Sequence, residues 1–229
     1  MSLDRLAALQ SEVVACRRCA RLTAYREQVA RDRVRRFQDQ TYWGKPVPSF
    51  GDPAARLLLV GLAPAAHGGN RTGRIFTGDR SGDFLFAALF RSGFANQPHS
   101  VHAGDGLVLR DAYVTAAVHC APPDNRPLPA EFAACRPYLI RELQSLDRLR
   151  VILALGAIAW MQVLFAWEGL GRPLPQKRPP FAHGAQLEVS KSVTLLGAYH
   201  PSQRNTQTGL LTSVMFDAVL DMARDYLAR

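Results

Sequence analysis

Apolar residues recur along this chain at two spacings that rarely overlap. Four short runs are aliphatic and continuous: Arg56 to Gly61 (RLLLVG), Ala112 to Ala117 (AYVTAA), Val151 to Leu155 (VILAL) and Val193 to Ala198 (VTLLGA). Continuous apolar runs suit strands whose parallel sheet is covered on both faces. Between them the spacing turns helical. Leu3, Leu6, Leu9 and Val13 predict an opening amphipathic helix running into Cys16, followed by a basic, partly helical stretch to about Arg36. Phe84 to Phe90, Pro129 to Leu146 and Ile158 to Trp167 are further helix candidates, and Pro129 with Glu131 suits a first helical turn. The last helix, about Thr212 to Leu227, places Met215, Val219, Met222 and Tyr226 on one face. Tyr42 to Asp52 (YWGKPVPSFGD) is turn-rich. Strands alternating with helices predict an α/β fold, a three-layer α/β/α sandwich around a central, mainly parallel four-stranded sheet, as one domain over residues 1–229.

The segments that follow these strands are polar or Gly-rich. APAAHGGNRTGRIFTGDRSGD follows the first, HCAPPDNRP the second and YHPSQRNTQTG the fourth. Ligands of open α/β sheets bind beyond the carboxyl ends of the strands, so these segments are expected to converge on one site. The first is too long for a mere connector, and it is neither a Walker A loop nor G-x-G-x-x-G. Within it, Phe76 reads as a ring that stacks on a base or as a core plug. Asp79 reads as a helix cap or as a carboxylate that handles water. Asn125 suits a turn, or a bidentate amide for a base edge. His200, at a strand end before Pro201 and Ser202, suits a donor to a developing anion. His67 and His183 are weaker loop candidates, and His119, beside Cys120, reads as packing.

Composition narrows the class. With 48% hydrophobic and 21% charged residues the chain can bury an ordinary core. No run approaches the ~18 apolar residues of a membrane span, and the opening residues lack the pattern of a secretion signal; a cytoplasmic protein, in the cytoplasm or nucleoid of a bacterium or archaeon, with no membrane partner is expected. The net charge is +9, and eight arginines fall between Arg17 and Arg36. Planar guanidinium groups suit phosphate, so the charge leans towards a nucleic-acid partner over a merely basic surface.

All the cysteines are accounted for by Cys16 and Cys19, in C-R-R-C, and by Cys120 and Cys135, with fourteen residues between them. Disulfides do not suit a cytosolic chain of this size. Shared ligation of a metal is the better reading, but ligand type alone does not separate zinc from iron–sulfur.

The motifs GLAPAAHGGNRTGRIFTGDRSG and HPSQRNTQTG, with C-R-R-C, WGKPVPSFGDP and TAAVHCAPPDNRP in order, resemble family 5 (B-type) of the uracil-DNA glycosylase superfamily over nearly the whole chain. The resemblance implies a [4Fe–4S] cluster on Cys16, Cys19, Cys120 and Cys135, fastening the N-terminal helix and basic segment 1–50. It implies monofunctional hydrolysis, by base flipping and water attack, of the N-glycosidic bond of uracil and related deaminated or damaged bases in single- or double-stranded DNA, by a monomer. Asp79, Asn125 and His200 would be catalytic, Phe76, Ala63 and Pro64 would bind the base, and Ser202, Gln203, Arg204 and Asn205 would contact DNA. Most relatives carry a polar residue where this chain has Leu62, and the family-4 asparagine that reads uracil falls on Ala116. The alternative is a non-catalytic iron–sulfur binder of damaged or single-stranded DNA.

Overall fold

The computed structural model describes residues 2–229, with side chains from Asp4 onward; the side chain of Leu3 lies outside the described residues. The four predicted strands form the parallel core of the sheet: β2 (Leu57–Gly61), β3 (Ala112–Ala116), β4 (Val151–Leu155) and β6 (Val193–Ala198). Two antiparallel edge strands that the sequence reading did not include complete it, β1 (Phe50–Gly51) and β5 (Gln186–Ser190), so the sheet has six strands rather than four. Their order is β1-β3-β2-β4-β6-β5. β2 lies between β3 and β4, in a register that sets Gly61 beside Ala116 and Val60 beside Ala154.

Eight helices are present among the described residues: α1 (Ser2–Ala15), α2 (Ala20–Asp32), α3 (Gly69–Thr72), α4 (Arg80–Arg91), α5 (Pro129–Ser145), α6 (Ala157–Gly169), α7 (Gln203–Gln207) and α8 (Ser213–Ala228). The basic stretch resolves into α2 and a 3-10 turn at Arg35–Phe37, while α3 and α7 are short helices inside the polar loops. Neighbouring residues of β2 serve opposite faces. Leu57 and Leu59 pack with Leu85 and Phe86 of α4 and with Phe216 and Val219 of α8. Leu58 and Val60 pack with Leu6 of α1, Leu139 of α5 and Trp160 of α6. Both faces of each parallel strand are therefore buried, which explains the unbroken apolar runs. Met215, Met222 and Tyr226 lie partly buried against the first of these layers, as their spacing predicted.

A polar relay ties α1 to the sheet. Gln10 donates to Glu142 Oε1 at 3.0 Å, Thr115 Oγ1 donates to Glu142 Oε2 at 2.6 Å, and Ser49 Oγ donates to Thr115 Oγ1 at 2.7 Å. A fully buried carboxylate such as Glu142 needs such partners. No helix is long and apolar enough to cross a membrane.

Candidate functional site

All four parallel strands end on the same side, and the site is assembled there. The chain leaves β2 at Gly61, passes through α3 and returns along residues 74–79. Phe76 is 8% exposed and adopts the left-handed region at φ 54°, which costs a bulky residue about 1–3 kcal/mol. Two glycines make room for it. A Cβ at Gly61 would lie 2.6 Å from the Phe76 ring, and one at Gly82 would lie 1.7 Å from its carbonyl oxygen. The ring also meets the imidazole of His200, centroid to centroid at 5.9 Å with planes tilted by 34°. Phe76 thus packs on the core and presents to His200 at once.

Asp79 caps α4: its Oδ1 accepts from the Gly82 N–H at 2.9 Å. The capping alternative is correct, and besides the oxygen in that bond the carboxylate has a second one. That oxygen lies over Gly68, where a Cβ would come within 2.1 Å of Oδ2. Burial raises the Asp79 pKa, with the N–H groups of Gly82 and Ser81 pulling the other way. The carboxylate opens into a cleft shared with Arg36, His67 and Asn125. Asn125 sits there with φ 54° in the turn Pro123–Asn125, so its turn role and its place in the cleft coincide. His67 joins this cleft through a 3.1 Å hydrogen bond between Nδ1 and the Tyr42 hydroxyl, and burial with Arg36 and Arg71 lowers its pKa. Arg71 fixes both ends of the loop, donating to the carbonyls of His67 and Gly78 at 2.8 Å each. His67 is a weak candidate from sequence; its neighbours here, Tyr42 and Arg36, are distant along the chain.

His200 follows β6. Its carbonyl accepts from Ser202 N at 2.7 Å and from Asn205 Nδ2 at 2.9 Å. Gly156 at the end of β4 leaves room beside it, since a Cβ there would sit 3.3 Å from the His200 Cβ. Burial lowers the imidazole pKa to about 4, so the ring is neutral near pH 7. Of the residues expected to face DNA, Gln203 and Arg204 are exposed, whereas Ser202 caps α7 by accepting from Asn205 N and Asn205 braces His200. His183 bonds to the backbone at Met215 and Tyr199, and His119 packs edge-on against Tyr138 while bonding to Val47. Pro64 is buried against Gly69; Ala63 and Leu62 pack towards the cysteines.

Cys16, Cys19, Cys120 and Cys135 all line one cavity, together with Val13, Leu22 and Val118. They come from the α1–α2 junction, the start of the loop after β3 and α5, and none is in a disulfide. Burial pushes the Cys120 pKa to about 12 and raises those of Cys19 and Cys135 as well. Among the described residues no three His, Cys, Asp or Glu side chains are grouped to hold a single metal ion. Four cysteines lining one cavity are a donor set that fits a shared metal or cluster.

A family model described as the Uracil DNA glycosylase superfamily matches residues 48–224. The chain is 49% identical over 222 residues to a protein of Thermus thermophilus named type-5 uracil-DNA glycosylase, covering 97% of this chain and 98% of that one. It is 50% identical over 217 residues to a Mycobacterium tuberculosis protein of the same name, covering 94% and 80%. To a protein of Archaeoglobus fulgidus named type-4 uracil-DNA glycosylase it is 31% identical over 160 residues, covering 68% and 70%.

Proposed function

The chain belongs to the uracil DNA glycosylase superfamily, and we propose that it hydrolyses the bond between uracil and deoxyribose in DNA, using Asp79 to direct water at the sugar and His200 to receive the departing base. The observation that carries this reading is the state of Asp79: one oxygen is fixed as a helix cap, while the other lies against Gly68, which lines the same cleft. A carboxylate held this way is preoriented, and its raised pKa strengthens it as a base.

A base stacked in a duplex is out of reach, so the nucleotide flips out at a cost of a few kcal/mol, about the cost of unpairing and unstacking it. The Phe76 ring beside His200 supports a stacking surface for the flipped base. As the bond breaks, the sugar gains cationic and the base anionic character. His200 is neutral and offers an N–H to that anion, where one aimed donor is worth about 3 kcal/mol. Asp79 orients or deprotonates the water, an effect of ~10²–10⁴-fold. Asn125 lines the same cleft.

Cys16, Cys19, Cys120 and Cys135 would hold a [4Fe–4S] cluster, whose contribution is folding free energy that fastens α1 and α2 to the segment carrying Asn125. The small buried Ala116, where an amide would read uracil, supports loose base selection. Hypoxanthine and altered pyrimidines are accordingly included as substrates. Release of uracil without measurable hypoxanthine from matched duplexes would remove that extension.

The test is a glycosylase assay on U·G, U·A, hypoxanthine·T and single-stranded uracil substrates, with wild type and Asp79→Ala. Loss of cleavage with retained DNA affinity supports the reading; a non-catalytic binder would release no base in either form.

A further inference from the structure

Residues 92–111, between α4 and β3, do more than connect. They fold back as a hairpin: Ala95 bridges Leu109, and Asn96 N and Arg110 N donate to the carbonyls of Val108 and Phe94. Into its tip reaches Arg74, a residue only 5% exposed. Arg74 donates to Asp105 Oδ2 at 2.6 Å, to Ser100 Oγ at 2.8 Å and to Thr77 Oγ1 at 3.0 Å. Thr77 and Ser100 share a hydroxyl–hydroxyl bond of 2.6 Å, and Gly78 N–H donates to the Ser100 carbonyl at 3.1 Å. Asp105 gathers its own turn as well, accepting from Val101 N at 2.7 Å and Leu107 N at 3.0 Å. Burial alone would raise its pKa; Arg74 and these N–H groups outweigh that and hold the carboxyl below the usual range.

A buried ion pair adds little net stability compared with apolar packing, and its best-attested use is to fix a register. What this pair grips is Thr77 and Gly78, the two residues between the strained Phe76 and the cap residue Asp79. We propose that Arg74 and Asp105 are a positioning pair for the excision site, holding Phe76 in its left-handed conformation and Asp79 on its cap through Ser100 and Thr77. This rests on the function proposed above, with Phe76 and Asp79 in those roles. Both members of the pair are buried away from the cleft, so they act through the residues they hold.

Asp105→Asn, Arg74→Lys and Ser100→Ala test it, the last removing a single hydroxyl in case a charge change prevents folding. Two quantities are read: amide hydrogen exchange at Gly78 and Gly82 in DNA-free protein, and single-turnover uracil release at saturating duplex. Exchange at these two amides is expected to rise about tenfold or more while amides in β4 are unchanged. The single-turnover rate is expected to fall roughly 10- to 100-fold, with duplex affinity held within about threefold. Arg74→Lys, which keeps the charge but loses the fork, should lose rate like the other two. The proposal is overturned by folded variants whose Gly78 and Gly82 amides exchange as in wild type. Faster exchange with an unchanged rate overturns it too, because the pair is then merely structural. A wild type that releases no uracil refutes the function, while the exchange measurement still decides whether the pair holds the loop.

Discussion

At the scale of single residues the site depends on how closely backbone and carboxylate approach. Gly68 has no room for a methyl group beside Asp79 Oδ2. Gly68→Ala should therefore push the carboxylate aside and slow excision by about 100-fold or more, since misplacement of ~1 Å has that effect; single-turnover kinetics on a folded, DNA-binding variant checks it. Burial raises the Asp79 pKa, so its ionised form is disfavoured in the fold. The cost appears as pH rises through the ordinary carboxylate range, and Asp79→Asn should raise the melting temperature at pH 7 even as it removes activity. His200 behaves in the opposite sense. Its folded pKa, about 4, lies below the ordinary 6.5. The unfolded chain binds the extra proton between those values, so stability is full above pH 6.5 and is lost as pH falls towards 4, by about 3 kcal/mol. Denaturant titrations from pH 4 to 7 should show this slope in wild type and a flatter one in His200→Asn.

At the scale of elements, the N-terminal helices are held unequally. α1 keeps Leu6 and Leu9 in the core, the Gln10–Glu142 bond and the Arg141–Glu12 ion pair. α2 has Leu22, the Arg26 bond to the Gly44 carbonyl and the Arg21–Glu131 pair, and it adjoins the cysteine cavity through Cys19 and Leu22. Removing the proposed cluster by chelation, or changing Cys19→Ser, should release amide protection across residues 20–32 before residues 4–15, measured by hydrogen exchange; equal release of both would contradict that unequal fastening. The same contrast explains what could be read in advance. The four parallel strands and the long helices were legible because burial on both faces leaves unbroken apolar runs. β5 alternates exposed and buried positions beside Gln186 and Glu188, and β1 has only two residues in a Pro- and Gly-rich stretch, so neither carries such a run. Phe76, Asp79 and His200 stood out as candidates in the loops after strands, but position left the core-plug and helix-cap readings open, and their proposed roles came from the family resemblance. Arg74 did not stand out, since its partner Asp105 lies 31 positions away and a lone arginine in a loop reads as exposed.

At the scale of the molecule, the loops at one end of the sheet form the cleft, and the charge supplies attraction to a polyanion. Net charge is +9. Affinity for uncleaved duplex should fall roughly 100-fold between about 50 and 200 mM salt if some four phosphates are neutralised, while the cleavage rate of bound DNA stays constant. The proposed chemistry depends on Asp79 as the residue that handles water. Single-turnover uracil release from a U·G duplex, compared for wild type and Asp79→Asn at saturating protein, tests it most directly. The expected rate is lower by ~10²–10⁴-fold in the variant, with duplex affinity within about threefold of wild type. An Asp79→Asn protein that binds the duplex and releases uracil at the wild-type rate would contradict it.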